Sequence, residues 1–193
     1  MDSCVLMQIK HLLFYITIVP LIYGVELTLE NIYKNGTFQT KGLGQWKWIP
    51  ESNDILIYQK AHGDSVKSFH RVDIGSGDTT TFISPDKLKY NNESFNVSSF
   101  SFNKTGTKLI LLINRTKLWR HSYSGNYFVY DLLSEDLIQV SDKDSQLKNV
   151  KFSPDGKKIS YVKDDNNLYV FDFLSQGEKQ LTRDGSETIL NGN

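Results

Sequence analysis

The chain has 193 residues and one cysteine, Cys4. The remaining residues therefore hold neither a disulfide framework nor a thiolate zinc site. Net charge is also missing: 22 Lys plus Arg balance 22 Asp plus Glu. Without a basic stripe to displace counterions from phosphates, a nucleic-acid partner is excluded. No run of like charges forms an interaction tail. The four histidines, His11, His62, His70 and His121, lack metal or triad spacing, so neither a metal nor another cofactor is expected. No Gly-x-Ser-x-Gly elbow occurs, and Gly75-Ser76-Gly77 reads as a hairpin turn.

What is present is a strand-forming composition. The hydrophobic fraction is 39%, enough for a core in a chain of ordinary domain length. Aromatics reach 12%, many of them within Val/Ile/Thr-rich runs that suit a pleated, half-buried surface.

At the N-terminus, Lys10 and His11 precede an apolar run from Leu12 to Tyr23 that ends at Gly24. A positive residue, a short apolar run and a small residue are the marks of a secretory signal peptide. The run is short for a membrane span of about 20 residues, though an uncleaved signal anchor fits the same pattern. Either reading of residues 1–24 puts Val25 onward outside the cytosol. Five N-glycosylation sequons agree, at Asn35, Asn92, Asn96, Asn103 and Asn114. Asn35 is favoured because it adjoins a glycine in a turn.

Repeats set the architecture. Trp48, Phe102 and Phe152 are each followed by a polar turn and, seven positions on, by an aliphatic residue: Ile55, Leu109 and Ile159. In the third copy Pro154-Asp155-Gly156 supplies turn chemistry, with Pro fixing φ and Gly accepting positive φ. A second strand in each unit ends on Asp73, Asp131 or Asp172 plus an apolar residue. A further short strand follows, over 80–83, 136–140 or 179–182. Four short strands every ~40–50 residues mark a propeller blade, with a β-sandwich as the alternative. The fold expected is all-β, an incomplete propeller of about three four-stranded blades over residues 25–193. Since a ring needs about 4–8 blades, either partners complete it or the sequence is part of a longer protein, and the second reading is favoured.

Several stretches resemble the dipeptidyl peptidase IV family. They are Leu27 to Phe38, Trp46-Lys47-Trp48-Ile49, Leu118 to Tyr123 with Tyr127 to Leu132, Phe152 to Gly156, and Ile189 to Gly192. The resemblance implies a serine exopeptidase that removes N-terminal dipeptides after Pro or Ala. In that family an eight-bladed propeller covers an α/β-hydrolase domain, and many members are membrane glycoproteins and dimers. The triad and the family's amine-gripping glutamates are not in this sequence, so the chain alone is expected to be inactive. Arg120 matches the family arginine that contacts the substrate's backbone carbonyl, and His121 the histidine that supports it. Trp119 is expected to be a buried ring. A non-catalytic relative serving as a binding or membrane-protein scaffold is the alternative, and a short secreted binding protein a third.

Overall fold

A computed structural model describes residues 24–39, 42–61, 63–120, 122–140 and 145–192. The apolar N-terminal run, Cys4, His11, His62 and His121 lie outside the described residues. The chain falls into two compact units, divided between Gly42 and Leu43. In the first, a single helical turn, α1 (Leu29–Tyr33), starts where the Thr28 hydroxyl accepts from the Asn31 N–H at 3.1 Å. Glu30 and Lys34 pair along it, one turn apart, at 2.8 Å.

The second unit is built from antiparallel meanders. The first comprises β1 (Gln45–Trp48), β2 (Ile55–Lys60), β3 (Lys67–Val72) and β4 (Thr79–Ile83), in that spatial order. After a two-residue hairpin, β5 (Lys89–Tyr90) with β6 (Glu93–Ser94), the pattern returns. The second meander is β7 (Ser99–Phe102), β8 (Lys108–Lys117), β9 (Tyr123–Asp131) and β10 (Leu137–Gln139). The third is β11 (Leu147–Phe152), β12 (Lys158–Val162), β13 (Leu168–Asp172) and β14 (Gly177–Gln180). Each is a propeller blade.

The repeat spacing has a direct structural meaning. Trp48 faces Ile55, Phe102 faces Leu109, and Phe152 faces Ile159 across the first hairpin of each blade. The recurring aspartates also share one job. Asp73, Asp131 and Asp172 each accept two backbone N–H bonds, from Gly75 and Ser76, Leu133 and Ser134, and Leu174 and Ser175 respectively. Each thereby fixes the turn that leads to its blade's last strand.

The blades pack face to face. One core cluster joins the first two blades through Leu56, Tyr58 and Phe69 against Phe100, Leu109, Leu111 and Phe128. Another joins the last two through Ile110 and Val129 against Leu147, Ile159, Tyr161 and Phe171. The middle blade is thus buried on both faces, with alternate residues serving opposite neighbours. The first hairpin turns pack in series as well. A Cβ at Gly106 would meet Pro50 at 3.3 Å, and one at Gly156 would meet the Asn103 amide at 2.8 Å. Gly156 also has φ of +68°, so side-chain volume and backbone geometry exclude a larger residue together.

One detail departs from three separate sheets. The second and third blades form one eight-stranded sheet, because Leu147 pairs with Gly125 and Lys148 with Ser124. The cause is the length of β8 and β9, ten and nine residues, which carries them past the blade. Gly125 permits the close approach of β9 to β8 at this point, since a Cβ there would lie 2.4 Å from Leu112 Cδ1 and 2.6 Å from the Ile113 carbonyl.

Candidate functional site

The projecting end of the β8–β9 hairpin carries the residues that the resemblance singles out. Its register shifts between Ile113 and Thr116, where Asn114 takes φ of +49°. Beyond the shift Thr116 faces Ser124 and Lys117 faces Tyr123. The tip closes when the N–H groups of Leu118 and Trp119 donate to the Ser122 carbonyl, at 3.0 and 3.2 Å.

Two contacts brace this arm. The Arg115 guanidinium lies 3.4 Å from the centre of the Tyr123 ring, in cation–π range. At the base, Asn114 Nδ2 donates to Asn126 Oδ1 at 2.9 Å. At the tip, Arg120 is exposed. Its guanidinium offers five fixed donors and a permanent charge to anything that docks there. Trp119 is 78% exposed, so the expectation of a buried ring is overturned. The arm has left the blade by this point, and from Asn114 to Arg120 every residue is exposed.

The five sequons divide by environment. Asn35, Asn92, Asn96 and Asn114 are exposed. Asn103 is 4% exposed, and its amide is fully engaged. Its Oδ1 accepts from the Thr107 and Lys108 N–H groups, while Nδ2 donates to the Thr105 and Thr107 hydroxyls. A glycan on Nδ2 would break that network and collide with the Gly156 turn, so Asn103 is withdrawn as an acceptor site.

A pair that sequence spacing missed is Ser68 and His70, whose Oγ and Nε2 lie 2.9 Å apart on β3. Alternation signals it, since residues two apart share a strand face. Both side chains are buried and line neither the cavity beside the β5–β6 hairpin nor the one beside β1, so the pair satisfies itself inside the sheet. Among the described residues no group of three His, Cys, Asp or Glu side chains is placed to hold a metal. No helix among them is long and apolar enough to cross a membrane.

Residues 103–193 match the family model for the dipeptidyl peptidase IV N-terminal region. Dipeptidyl aminopeptidase B of Saccharomyces cerevisiae is 31% identical over 171 residues, spanning 84% of this chain and 20% of that protein. Prolyl endopeptidase FAP of Homo sapiens is 30% identical over 167 residues, spanning 86% of this chain and 20% of that protein. Dipeptidyl peptidase 4 of Felis catus is 26% identical over 173 residues, spanning 86% and 20%. The chain thus spans about one fifth of the length of these relatives. The crystal structure of Porphyromonas gingivalis dipeptidyl peptidase 4 superposes with a TM-score of 0.65 at 21% identity, covering 84% of this chain and 22% of that one. At that identity the superposition establishes the fold, and it is the fold of consecutive blades derived above. The chain belongs to the dipeptidyl peptidase IV family, as part of its N-terminal β-propeller region.

Proposed function

We propose that residues 25–193 serve as the N-terminal propeller portion of a serine exopeptidase that releases dipeptides from the N-termini of peptides with Pro or Ala in second position. In this reading Arg120 binds substrate, and an α/β-hydrolase domain of the complete protein supplies the nucleophile. The observation that carries the proposal is the position of Arg120 at the exposed tip of a braced arm, inside the segment that matches the family. A guanidinium held there is suited to a substrate backbone carbonyl, as a permanent cation with donors in a fixed fork. His121, outside the described residues, is proposed as its support. The reading also places residues 1–24 as a signal peptide or signal anchor and the rest on the extracellular side. The apolar N-terminal run and the four exposed sequons support that placement. Homodimerisation belongs to the same proposal.

The test is kinetic and uses the full-length parent. Arg120→Ala is expected to cut kcat/KM roughly ten- to a hundredfold, the worth of a charge-assisted hydrogen bond of about 1.5–3 kcal/mol. The thermal midpoint should not move, because the side chain is exposed. Arg120→Lys should rescue in part, since an ammonium lacks the fork. Wild-type efficiency in Arg120→Ala would refute the assignment.

A further inference from the structure

A cavity of about 580 Å³ opens between the β5–β6 hairpin and the β8–β9 pair. That volume lies within the range of small-molecule sites, about 300–1,000 Å³. Its apolar wall is aromatic: Phe95 stacks on Phe128 with centroids 5.0 Å apart, and Tyr90 meets the same Phe128 at 5.1 Å. Its polar lining among the described residues is mostly amide, including Asn126 and Gln139, with the Glu93 carboxylate as the one charged group. Aromatic faces beside amides and a carboxylate suit a neutral ring with an apolar C–H face and several hydroxyls, which is to say a sugar.

The sequon Asn96-Val97-Ser98 runs along the rim of this cavity. Asn96 and Ser98 both line it, while Val97 between them turns into the core. The Val97 N–H donates to the Tyr58 hydroxyl at 3.1 Å, which pins the sequon in that register. Asn96 is exposed and lies outside any strand. Asn114 also lines the cavity, but its Nδ2 already donates to Asn126.

We propose that Asn96 carries an N-linked glycan whose first N-acetylhexosamine seats in this cavity against Tyr90 and Phe95, the half-buried rings that cover the core residue Phe128. The attachment is a transfer from a lipid-diphosphate-linked oligosaccharide supplied by the host. Asn96 Nδ2 bonds to the anomeric carbon, the carbon–oxygen bond to the diphosphate breaks, the lipid diphosphate leaves, and the amide gives up one proton. The seated sugar covers what the bare chain leaves accessible of the half-buried Tyr90 and Phe95 and ties the β5–β6 hairpin to the second blade. The inference rests on the reading that the chain enters the secretory pathway. Failure of that reading is separable, since a foreign signal sequence can direct the chain there.

The experiment therefore secretes the chain behind a foreign signal peptide from a glycosylating host, and maps glycopeptides by mass. Asn96 is expected to be occupied. Trimming the glycans to a single N-acetylglucosamine should preserve the thermal midpoint. Asn96→Gln and Ser98→Ala, which both abolish the sequon, should each lower it by about 2–4 °C. Made in a host that does not glycosylate, Asn96→Gln should leave the midpoint unchanged, and in the Gln139→Ala background the glycan's stabilisation should shrink. An unoccupied Asn96, occupancy of Asn114 alone, or equal midpoints with and without the first sugar would overturn the proposal. So would saturable binding of free N-acetylglucosamine to the glycosylated chain at Tyr90 and Phe95, followed by NMR, since a filled cavity has no room for it.

Discussion

From Leu109 to Ile113, β8 is buried on both faces, while from Asn114 to Lys117 the same strand is exposed. Its partner β9 changes less: Phe128-Val129-Tyr130 is buried in the core, while in the outer half Ser124 and Gly125 are buried beside β11 and Tyr123 is half-buried. The inner half is specified by packing, since Leu109, Leu111 and Ile113 belong to one core and Ile110 to the other. The outer half is specified by a few discrete contacts, namely Arg115 on Tyr123, Asn114 on Asn126 and the tip hydrogen bonds at Ser122. The difference teaches how a propeller can present a charged group. Two blades' worth of burial anchors the hairpin, and a register shift with a left-handed Asn114 redirects it beyond the sheet. Stability and presentation then depend on different residues of one element.

The largest expected effect lies in the inner half. Leu111 is fully buried, and Leu111→Ala removes transfer energy and leaves a cavity between the first two blades. A loss of about 2–5 kcal/mol is expected, seen as a fall in urea midpoint at unchanged slope. A slope that changed with the midpoint would mean that the blades unfold separately, and that the inner half is not one cooperative anchor.

Next in size is Asn103→Ala, in the turn that opens the inner half. It strips acceptors from the Thr107 and Lys108 N–H groups and removes the amide that packs on Gly156. A cost of about 1–3 kcal/mol is expected. Asn103→Asp should cost less, because both acceptor bonds survive. Equal losses in the two variants would show that the Thr hydroxyl bonds, not the backbone acceptors, hold the turn.

A pH series sharpens the same contrast. Asp131 closes the inner half. Burial pushes its carboxyl up, but the Lys108 ammonium and the Leu133 and Ser134 N–H groups more than reverse this and hold it below the usual carboxylate range. In the third blade Lys158 lies 2.8 Å from Asp172 and lowers it, with help from the Leu174 and Ser175 N–H groups. Asp73 in the first blade is also depressed, chiefly by the Ser76 and Gly75 N–H groups. A depressed carboxylate stabilises above its unfolded value, about 3.9, and loses that contribution as pH falls through the lower folded value. Urea midpoints should therefore decline from near pH 4 downward, and Asp131→Asn should flatten that decline. An unchanged decline in the variant would assign it to other groups.

The sequence carried much of this fold because the repeat is local. The seven-residue spacing is two strand ends plus a turn, and the recurrent aspartate is a turn cap, so both show in a linear reading. Blade number and order followed. What stayed hidden depends on neighbours in space. Asn103 has the form of a sequon but is a turn amide packed under the next blade, and nothing in Asn-Lys-Thr says which. Gly125 looks ordinary, yet it lets β9 lie close against β8 where it also pairs with β11. The site was legible through Leu118 to Tyr123 only by resemblance, because an exposed arginine has no periodicity to betray it. The one-turn helix at Leu29–Tyr33 owes its start to the Thr28 cap, and at five residues it is too short to show a helical period in the sequence.

The smallest expected effect lies at the tip. A tryptophan beside a strand is ordinarily core, and truncating a buried one costs about 3–5 kcal/mol. Trp119 is 78% exposed, and the tip hydrogen bonds that involve it use its backbone, which alanine retains. Trp119→Ala should therefore change stability by less than about 0.5 kcal/mol, in the range of ordinary surface substitutions. The same ring flanks Arg120, so in the full-length parent the variant should act on kcat/KM while the urea midpoint stays put. Purified Trp119→Ala and Leu111→Ala chains, compared by urea unfolding, make the decisive pair. If Trp119→Ala lost stability on the scale of Leu111→Ala, the arm would be folded against the blade, and the division of the β8–β9 hairpin into anchor and presenter would fail.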